Sequence, residues 1–297
     1  MKKVILLGES GLIGGALAKK LGANDEFTLT KPSSKELNLL NSDSVESYFA
    51  KHKPDLIINA AGKCGGVAAN IKMPGDFSLE NTIISASVFN AAIKTGVSRI
   101  IHFIPACIYP ANAPLPYSEE SILNGAPEES SRYFAVAKLN ALFMAEALNK
   151  QHKTSFISVI PSNVYGPCHR ASGDHSHVIP SLIKKMAAAK NSNSSSVEIW
   201  GNGTNQRDFL HVEDLAEATY QIMMATNPPP VINVGSGEVT TIENLARIIQ
   251  SHVGYTGKLE FSDNGLSGAQ HKYVDTSKIK KLGWTAKVFL RDGIKSL

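Results

Sequence analysis

Cysteine is scarce in this sequence: only Cys64, Cys107 and Cys168 occur among 297 residues. Three scattered thiols cannot build a disulfide framework, and they lack the spacing of a zinc site, so no metal is expected. They imply a reducing compartment, which we take to be the cytoplasm. Long apolar runs are missing too; nothing approaches the roughly 20 residues that a membrane-spanning helix needs. The opening stretch MKKVILLGESGLIGG imitates a signal peptide, but its apolar run breaks at Gly8 and carries Glu9. A buried first strand running into a loop describes it better. A strong excess of one charge is also absent. The net charge is +4 and the lysines form no basic stripe, so neither nucleic acid nor a membrane is expected as a partner. The mild positive balance suits an anionic small molecule, and plain solubility would produce it equally well.

What is present is alternation. The chain is 43% hydrophobic, enough for one large core or two domains. KVILLG, DLIINAAG, RIIHFI and FISVIP are β-branched and nearly unbroken, as strands buried on both faces are. Amphipathic stretches such as SVESYFAKH and TIISASVFNAAIKTG lie between them. The pattern predicts βαβ units and hence an α/β fold with a Rossmann-type doubly wound parallel sheet. After Pro167 the segments become shorter and more polar, with a loop KNSNSSS at 190–196 and a break NPPP at 227–230. Both read as surface connections. In TTIENLARIIQ, Thr240 and Glu243 stand at capping-box spacing, which predicts a helix start there.

In VILLGESGLIGGALAKKLG, Gly8, Gly11 and Gly14 follow a strand and open a helix. Glycine lets the backbone turn sharply and approach a pyrophosphate, which the helix N-terminus then faces. A glycine triplet alone is weak, but this one sits at a strand–helix junction inside a βαβ pattern, so dinucleotide binding is preferred over a structural turn. The second strand should end near FTLT, residues 27–30, where an acid would hold the ribose 2′-hydroxyl of NAD. The chain instead continues Lys31, Pro32, Ser33, Ser34, Lys35. Two cations and two hydroxyls suit a 2′-phosphate, so NADP is preferred over NAD; an ordinary solvated loop is the alternative.

Lys138 ends the stretch SSRYFAVAK. A helix would bring the residue four positions earlier onto the face of Lys138. That residue is Phe134, and Tyr133, one position early, points elsewhere.

The glycine loop, the alternation and the region around Lys138 resemble the extended short-chain dehydrogenase/reductase family. KELNLLNSDSVESYF, AAGKCGGVAAN, ACIYP, PSNVYGP, SHVIPSLIKK, WGNGTNQRDFLHVEDLA and INVGSG, in this order, narrow the resemblance to the GDP-L-fucose synthase family. Its members are NADPH-dependent 3,5-epimerase/4-reductases of GDP-4-keto-6-deoxymannose, commonly homodimers. The resemblance implies an NADP-binding Rossmann domain over 1–165 and a smaller, mostly substrate-binding α/β domain over 166–297, with parts near 208–236 packing back on the first. It assigns cofactor contacts to Gly8, Ser10, Gly11, Leu12, Ile13 and Gly14 of the loop, and to Lys31, Ala60 and Ala61. Pro161, Asn163, Val164, Lys138 and His177 complete that set.

Epimerisation in the family uses a cysteine in C-I-Y-P and a histidine in S-H-V-I-P, here matched by Cys107 and His177. Unperturbed, these titrate at about 8.5 and about 6.5, so both exchange protons near neutrality. Either alone would more often be an inert core residue; together, in both motifs, they read as the acid–base pair. For reduction, the family's tyrosine protonates the developing alkoxide, its lysine holds the nicotinamide ribose, and a serine binds the ketone. Lys138 is retained, but the tyrosine position is Phe134 and the two serine positions are Pro105 and Ala106. Neither replacement donates a proton, and Pro105 lacks even a backbone N–H. A positioned acid contributes on the order of 10²–10⁴ in rate, so efficient C4 reduction is not expected. The enolate oxygen loses the same donors, leaving Lys138 or a water to replace them.

The resemblance also places Lys185, Trp200 and Arg207 in the nucleotide-sugar site. Lysine stands where the family has arginine, and Ser267 where it has aspartate, so a GDP-linked keto sugar is expected but another nucleotide sugar stays open. Three readings follow: an epimerase on a GDP-linked 4-keto-6-deoxy sugar with impaired C4 reduction; a full epimerase-reductase with an unorthodox proton donor; or a non-catalytic paralogue that binds NADP or a sugar nucleotide, in one form pairing with a related active subunit.

Overall fold

The computed structural model describes residues 1–167, 178–262 and 270–297. In the first half, strands and helices alternate: β1 (Lys2–Leu7), α1 (Leu12–Gly22), β2 (Phe27–Thr30), α2 (Ser42–His52), β3 (Leu56–Asn59), α3 (Val67–Lys72), α4 (Pro74–Thr95), β4 (Arg99–Phe103), α5 (Arg132–His152), β5 (Ser155–Pro161) and β6 (Asn163–Tyr165). The second half holds α6 (Val178–Asn191), β7 (Ser196–Trp200), β8 (Gln206–His211), α7 (Val212–Met224), β9 (Val231–Val234), β10 (Val239–Thr241), α8 (Ile242–Val253), β11 (Lys258–Ser262), β12 (His271–Lys272), α9 (Ser277–Lys281) and α10 (Leu290–Lys295).

Six strands form one parallel sheet in the order β2-β1-β3-β4-β5-β9. The expected doubly wound architecture is present, and its cause is visible in β1. Successive side chains of a strand point to opposite faces. Ile5 and Leu7 enter a core with Val45 and Phe49 of α2, Phe89 of α4 and Leu142 of α5. Val4 and Leu6 enter the opposite core with Leu17 and Leu21 of α1 and Leu215 and Ile222 of α7. The part of a strand covered on both faces must be apolar at successive positions, which is why Val4 to Leu7 form an unbroken run after the exposed Lys2 and Lys3.

Strand β9 pairs with β5 in the main sheet, and α7 packs on α1. A third core joins α6, β7, β8 and α8 through Leu182, Met186, Ile199, Phe209 and Ile249. Strand β8 also pairs with β6, β10 and β12. Helix α8 begins one residue later than the capping-box spacing predicts: Thr241 caps it by accepting from Asn244 N, while Thr240 Oγ1 accepts from Asn244 Nδ2. Among the described residues, no helix is long and apolar enough to cross a membrane, and no group of three His, Cys, Asp or Glu could hold a metal ion.

Candidate active site

The site lies where β1, β3, β4 and β5 end, the edge at which doubly wound sheets bind ligands. Gly8 turns the chain out of β1 with φ +84°, a conformation that disfavours side chains. A Cβ there would stand 2.7 Å from Ala60 C and Ala61 N, and a Cβ on Gly14 would stand 2.0 Å from Gly8 O. The loop is therefore clamped between α1 and the end of β3, with Ala60 and Ala61 forming its far wall. Gly11 is the N-cap of α1; no side chain caps this helix and no acid occupies its first turn. Its amides and positive dipole end are open to an anion. Leu12 reaches the chain beyond β6, within 3.6 Å of the Cβ position of Gly166, and Ile13 and Val164 pack with the α1-side core. Ser10 is exposed, Pro161 ends β5, and Asn163 opens β6, its Nδ2 donating to Asp208 O at 2.9 Å. The sequence thus brings together a cradle that fits a dinucleotide pyrophosphate.

Lys31 directly follows β2 but does not stand alone: its Nζ is 3.3 Å from Glu9 Oε1. Ser33 is likewise engaged, its N and Oγ both donating to Glu36 Oε2 at 2.8 Å. These bonds hold the Glu36 carboxyl below the usual carboxylate range.

Helix α5 carries Phe134 and Lys138. Phe134 and Lys138 share its buried face, at 7% and 6% exposure, whereas Tyr133 is 55% exposed. The Phe134 ring packs edge-on to Phe77, centroids 5.8 Å apart, in a small apolar cluster with Ala69, Met73 and Cys107. The Lys138 ammonium stands 5.9 Å from the Phe134 ring centroid. It also reaches the loop after β3, 3.1 Å from where a Gly62 Cβ would be. Burial lowers the Lys138 pKa, and the nearby Cys64 and Cys107 thiols oppose that shift only in part. Asn81, fully buried on α4, presents its unbonded Oδ1 to the same Gly62 position at 2.8 Å. Tyr109, the other tyrosine nearby, is buried, stacks on Tyr117, and donates its hydroxyl to Asn233 Oδ1 at 2.7 Å.

Cys107 lies half-buried in a short 3-10 turn, Ala106–Ile108, after β4. Burial pushes its thiol up, while Lys272 and a hydrogen bond from Ser131 pull it down. Arg207 on β8 donates through Nη1 to Gln206 O and Gln270 O at 2.7 and 3.3 Å. Burial lowers its pKa, with Glu128 and Tyr117 acting on it electrostatically. Lys272 is its register partner on β12, so Arg207, Lys272 and Cys107 share one neighbourhood. Lys185 and Trp200 form a separate pair: the ammonium lies 5.7 Å from the centre of the exposed indole, and it donates to Glu198 O. His177, Ser267 and Cys168 lie outside the described residues.

Sequence reading missed Lys272, Glu128, Ser131 and Asn81 as neighbours of the site. None stands in a motif with its own chemical signature, and β12 is only two residues long.

The family model described as NAD dependent epimerase/dehydratase matches residues 4–235. GDP-L-fucose synthase 1 of Arabidopsis thaliana is 36% identical over 98% of this chain and 90% of its own length. GDP-L-fucose synthase of Escherichia coli is 34% identical over 99% and 95%. A GDP-mannoheptose C4 reductase from Campylobacter jejuni, solved with NADP bound, is 31% identical, with a TM-score of 0.88 over 99% of this chain and 96% of that one. The glycine cradle and lysine-bearing helix on a doubly wound sheet agree with these similarities over nearly the whole length, and the chain belongs to the NAD dependent epimerase/dehydratase family, among the relatives of GDP-L-fucose synthase.

Proposed function

We propose that this protein modifies a GDP-linked 4-keto-6-deoxy sugar, epimerising it at C3 and C5 through Cys107 and His177, with C4 reduction impaired. The observation that carries the reading is the wall around Lys138. A phenyl ring, packed on Phe77, fills the place on its helix face from which a hydroxyl would serve the ketone, while the Cys107 thiol borders the same cluster.

The glycine loop fits NADP, which the Campylobacter jejuni reductase carries. Gly8, Gly11, Gly14 and the first amides of α1 would hold its pyrophosphate, Ala60 and Ala61 would border it, and Lys138 would hold the nicotinamide ribose. The cofactor would supply a hydride to C4. This chain's residues offer poor means of protonating the resulting alkoxide. Phe134, Pro105 and Ala106 have no proton to give, Tyr133 faces solvent, and the Tyr109 proton is committed to Asn233. The full epimerase-reductase is therefore the weaker reading.

For epimerisation, Cys107 has the character of an acid: a thiol held above its usual range keeps its proton at neutral pH and returns it to a carbanion. His177 is the proposed base on the opposite face. The enolate oxygen would be met by the Lys138 ammonium. Trp200 and Lys185 would stack on and steady the guanosine side, and Arg207 the diphosphate. The exposed Leu79, Tyr133 and Val136 on the outer faces of α4 and α5 support a homodimer.

Proton NMR of the protein with GDP-4-keto-6-deoxymannose in D₂O, with and without NADPH, tests the reading. Deuterium at C3 or C5 without a C4-reduced product is expected. A reduced product formed at an efficient rate overturns the impaired-reductase part. No exchange under either condition overturns the epimerase part and favours a binding role.

A further inference from the structure

We propose that Glu9 sets the balance between NADP(H) and NAD(H), by pairing with Lys31 across the mouth of the glycine loop. The inference rests on the dinucleotide reading of that loop and adds a residue that governs which dinucleotide is preferred.

In sheets of this kind the end of the second strand faces the adenosine ribose. A carboxylate there selects the 2′-hydroxyl of NAD, and a cation selects the 2′-phosphate of NADP. Lys31 occupies the cation's place, one residue beyond β2. Strands β1 and β2 are neighbours, with Ile5 opposite Thr30, so the loop leaving β1 passes beside Lys31. Glu9 in that loop puts its Oε1 3.3 Å from Lys31 Nζ. Ser33, the next polar group along, already gives its hydroxyl and amide to Glu36 at 2.8 Å. Two groups suited to a 2′-phosphate are thus held by carboxylates of the chain itself.

The consequences for the two cofactors differ in sign. Lys31 would have to share its ammonium between Glu9 and a 2′-phosphate, and the Glu9 carboxylate would repel that phosphate. A 2′-hydroxyl meets in Glu9 an acceptor supplied from the glycine loop instead of from β2. The pair is solvent-facing, with side-chain exposures of 39% for Lys31 and 43% for Glu9. Ion pairs at such exposure are weak, so the effect on affinity should be about tenfold or less and should fade as salt rises.

The test is calorimetric titration of the full chain with NADPH and, separately, NADH at low and at physiological salt. The proteins are wild type, Glu9→Gln, Lys31→Ala and the double variant. Both side chains face solvent, so the core is untouched. Wild type should separate the two cofactors by less than about tenfold. Glu9→Gln should tighten NADPH by about threefold to tenfold, leave NADH unchanged or weaker, and have a smaller effect when Lys31 is alanine. If Glu9→Gln shifts both cofactors equally, or leaves NADPH unchanged while Lys31→Ala still weakens it, the role of Glu9 is wrong and the NADP reading stands. If Lys31→Ala leaves NADPH affinity intact, or wild type binds neither dinucleotide, the cofactor reading itself fails and this inference falls with it.

Discussion

The Lys138 ammonium stands 5.9 Å from the centre of the Phe134 ring, on the same buried face of α5. A cation can rest near an aromatic face, but a phenyl ring has no proton to pass on. The arrangement places a phenyl ring, and no hydroxyl, four residues before the lysine on its helix face. Burial lowers the Lys138 pKa, and the Cys64 and Cys107 thiols oppose that shift only in part.

Phe134→Tyr should restore an acid next to Lys138. NADPH-dependent reduction of GDP-4-keto-6-deoxymannose should rise by on the order of 10² or more, read as loss of nicotinamide absorbance. The new hydroxyl enters the Phe77 cluster, so a stability loss of about 1–3 kcal/mol should accompany the gain wherever it finds no partner. An unchanged reduction rate would mean that the missing tyrosine is not what limits C4 chemistry.

The two other tyrosines should behave in opposite ways. Tyr133→Phe alters an exposed side chain and should leave stability and exchange chemistry unchanged. Tyr109→Phe strips the buried Asn233 Oδ1 of its donor and should lower unfolding free energy by about 1–3 kcal/mol. Chemical denaturation measures both, and loss of activity in Tyr133→Phe would place the proton donor where the helix register forbids it.

Cys107→Ser should abolish inversion at C3 and C5 of the keto sugar, whereas Cys64→Ser should not. The raised Cys107 thiol also predicts slow alkylation by iodoacetamide at neutral pH, accelerating only above the usual thiol range of about 8.5. Mass spectrometry of the labelled peptides across pH decides it; rapid neutral labelling of Cys107 would refute the protonated-acid role.

Acid should weaken the fold through His102. This residue is buried on β4, bonded to Ser158 Oγ at 2.7 Å, and pushed down from 6.5 to about 3 by burial and by Lys138. The unfolded chain binds a proton below pH 6.5 that the folded chain refuses, so this group's penalty is absent above pH 6.5 and grows as pH falls toward 3. The slope should be about 1.4 kcal/mol per pH unit, and His102→Gln should remove that slope in urea titrations at pH 4 to 6.

Trp200→Ala should weaken GDP binding by about tenfold, since an exposed indole offers a stacking face to the base. Calorimetry with GDP alone reads this without any turnover. An unchanged affinity would remove Trp200 from the nucleotide site.

How much of this was legible beforehand depended on the range of each interaction. The fold was legible because β1 is apolar at four successive positions, Val4 to Leu7, as a strand covered on both faces is. The exposure of Tyr133 and burial of Phe134 were legible because a helix advances about 100° per residue. The start of α8 was missed by one residue because Thr240 and Thr241 are chemically equivalent caps, and only the local backbone chooses between them.

The sequence by itself therefore determined the parallel sheet, the glycine cradle and the absence of a hydroxyl on the face of Lys138. Each follows from local periodicity or from a residue's own chemistry. Tertiary structure decided what surrounds those features. It paired Lys31 with Glu9, committed Tyr109 to Asn233 across 124 positions, and set Lys272 beside Arg207 and near Cys107. These contacts join residues far apart in the chain. Their formation depends on how the sheet and helices close on one another, and no spacing within a motif encodes that.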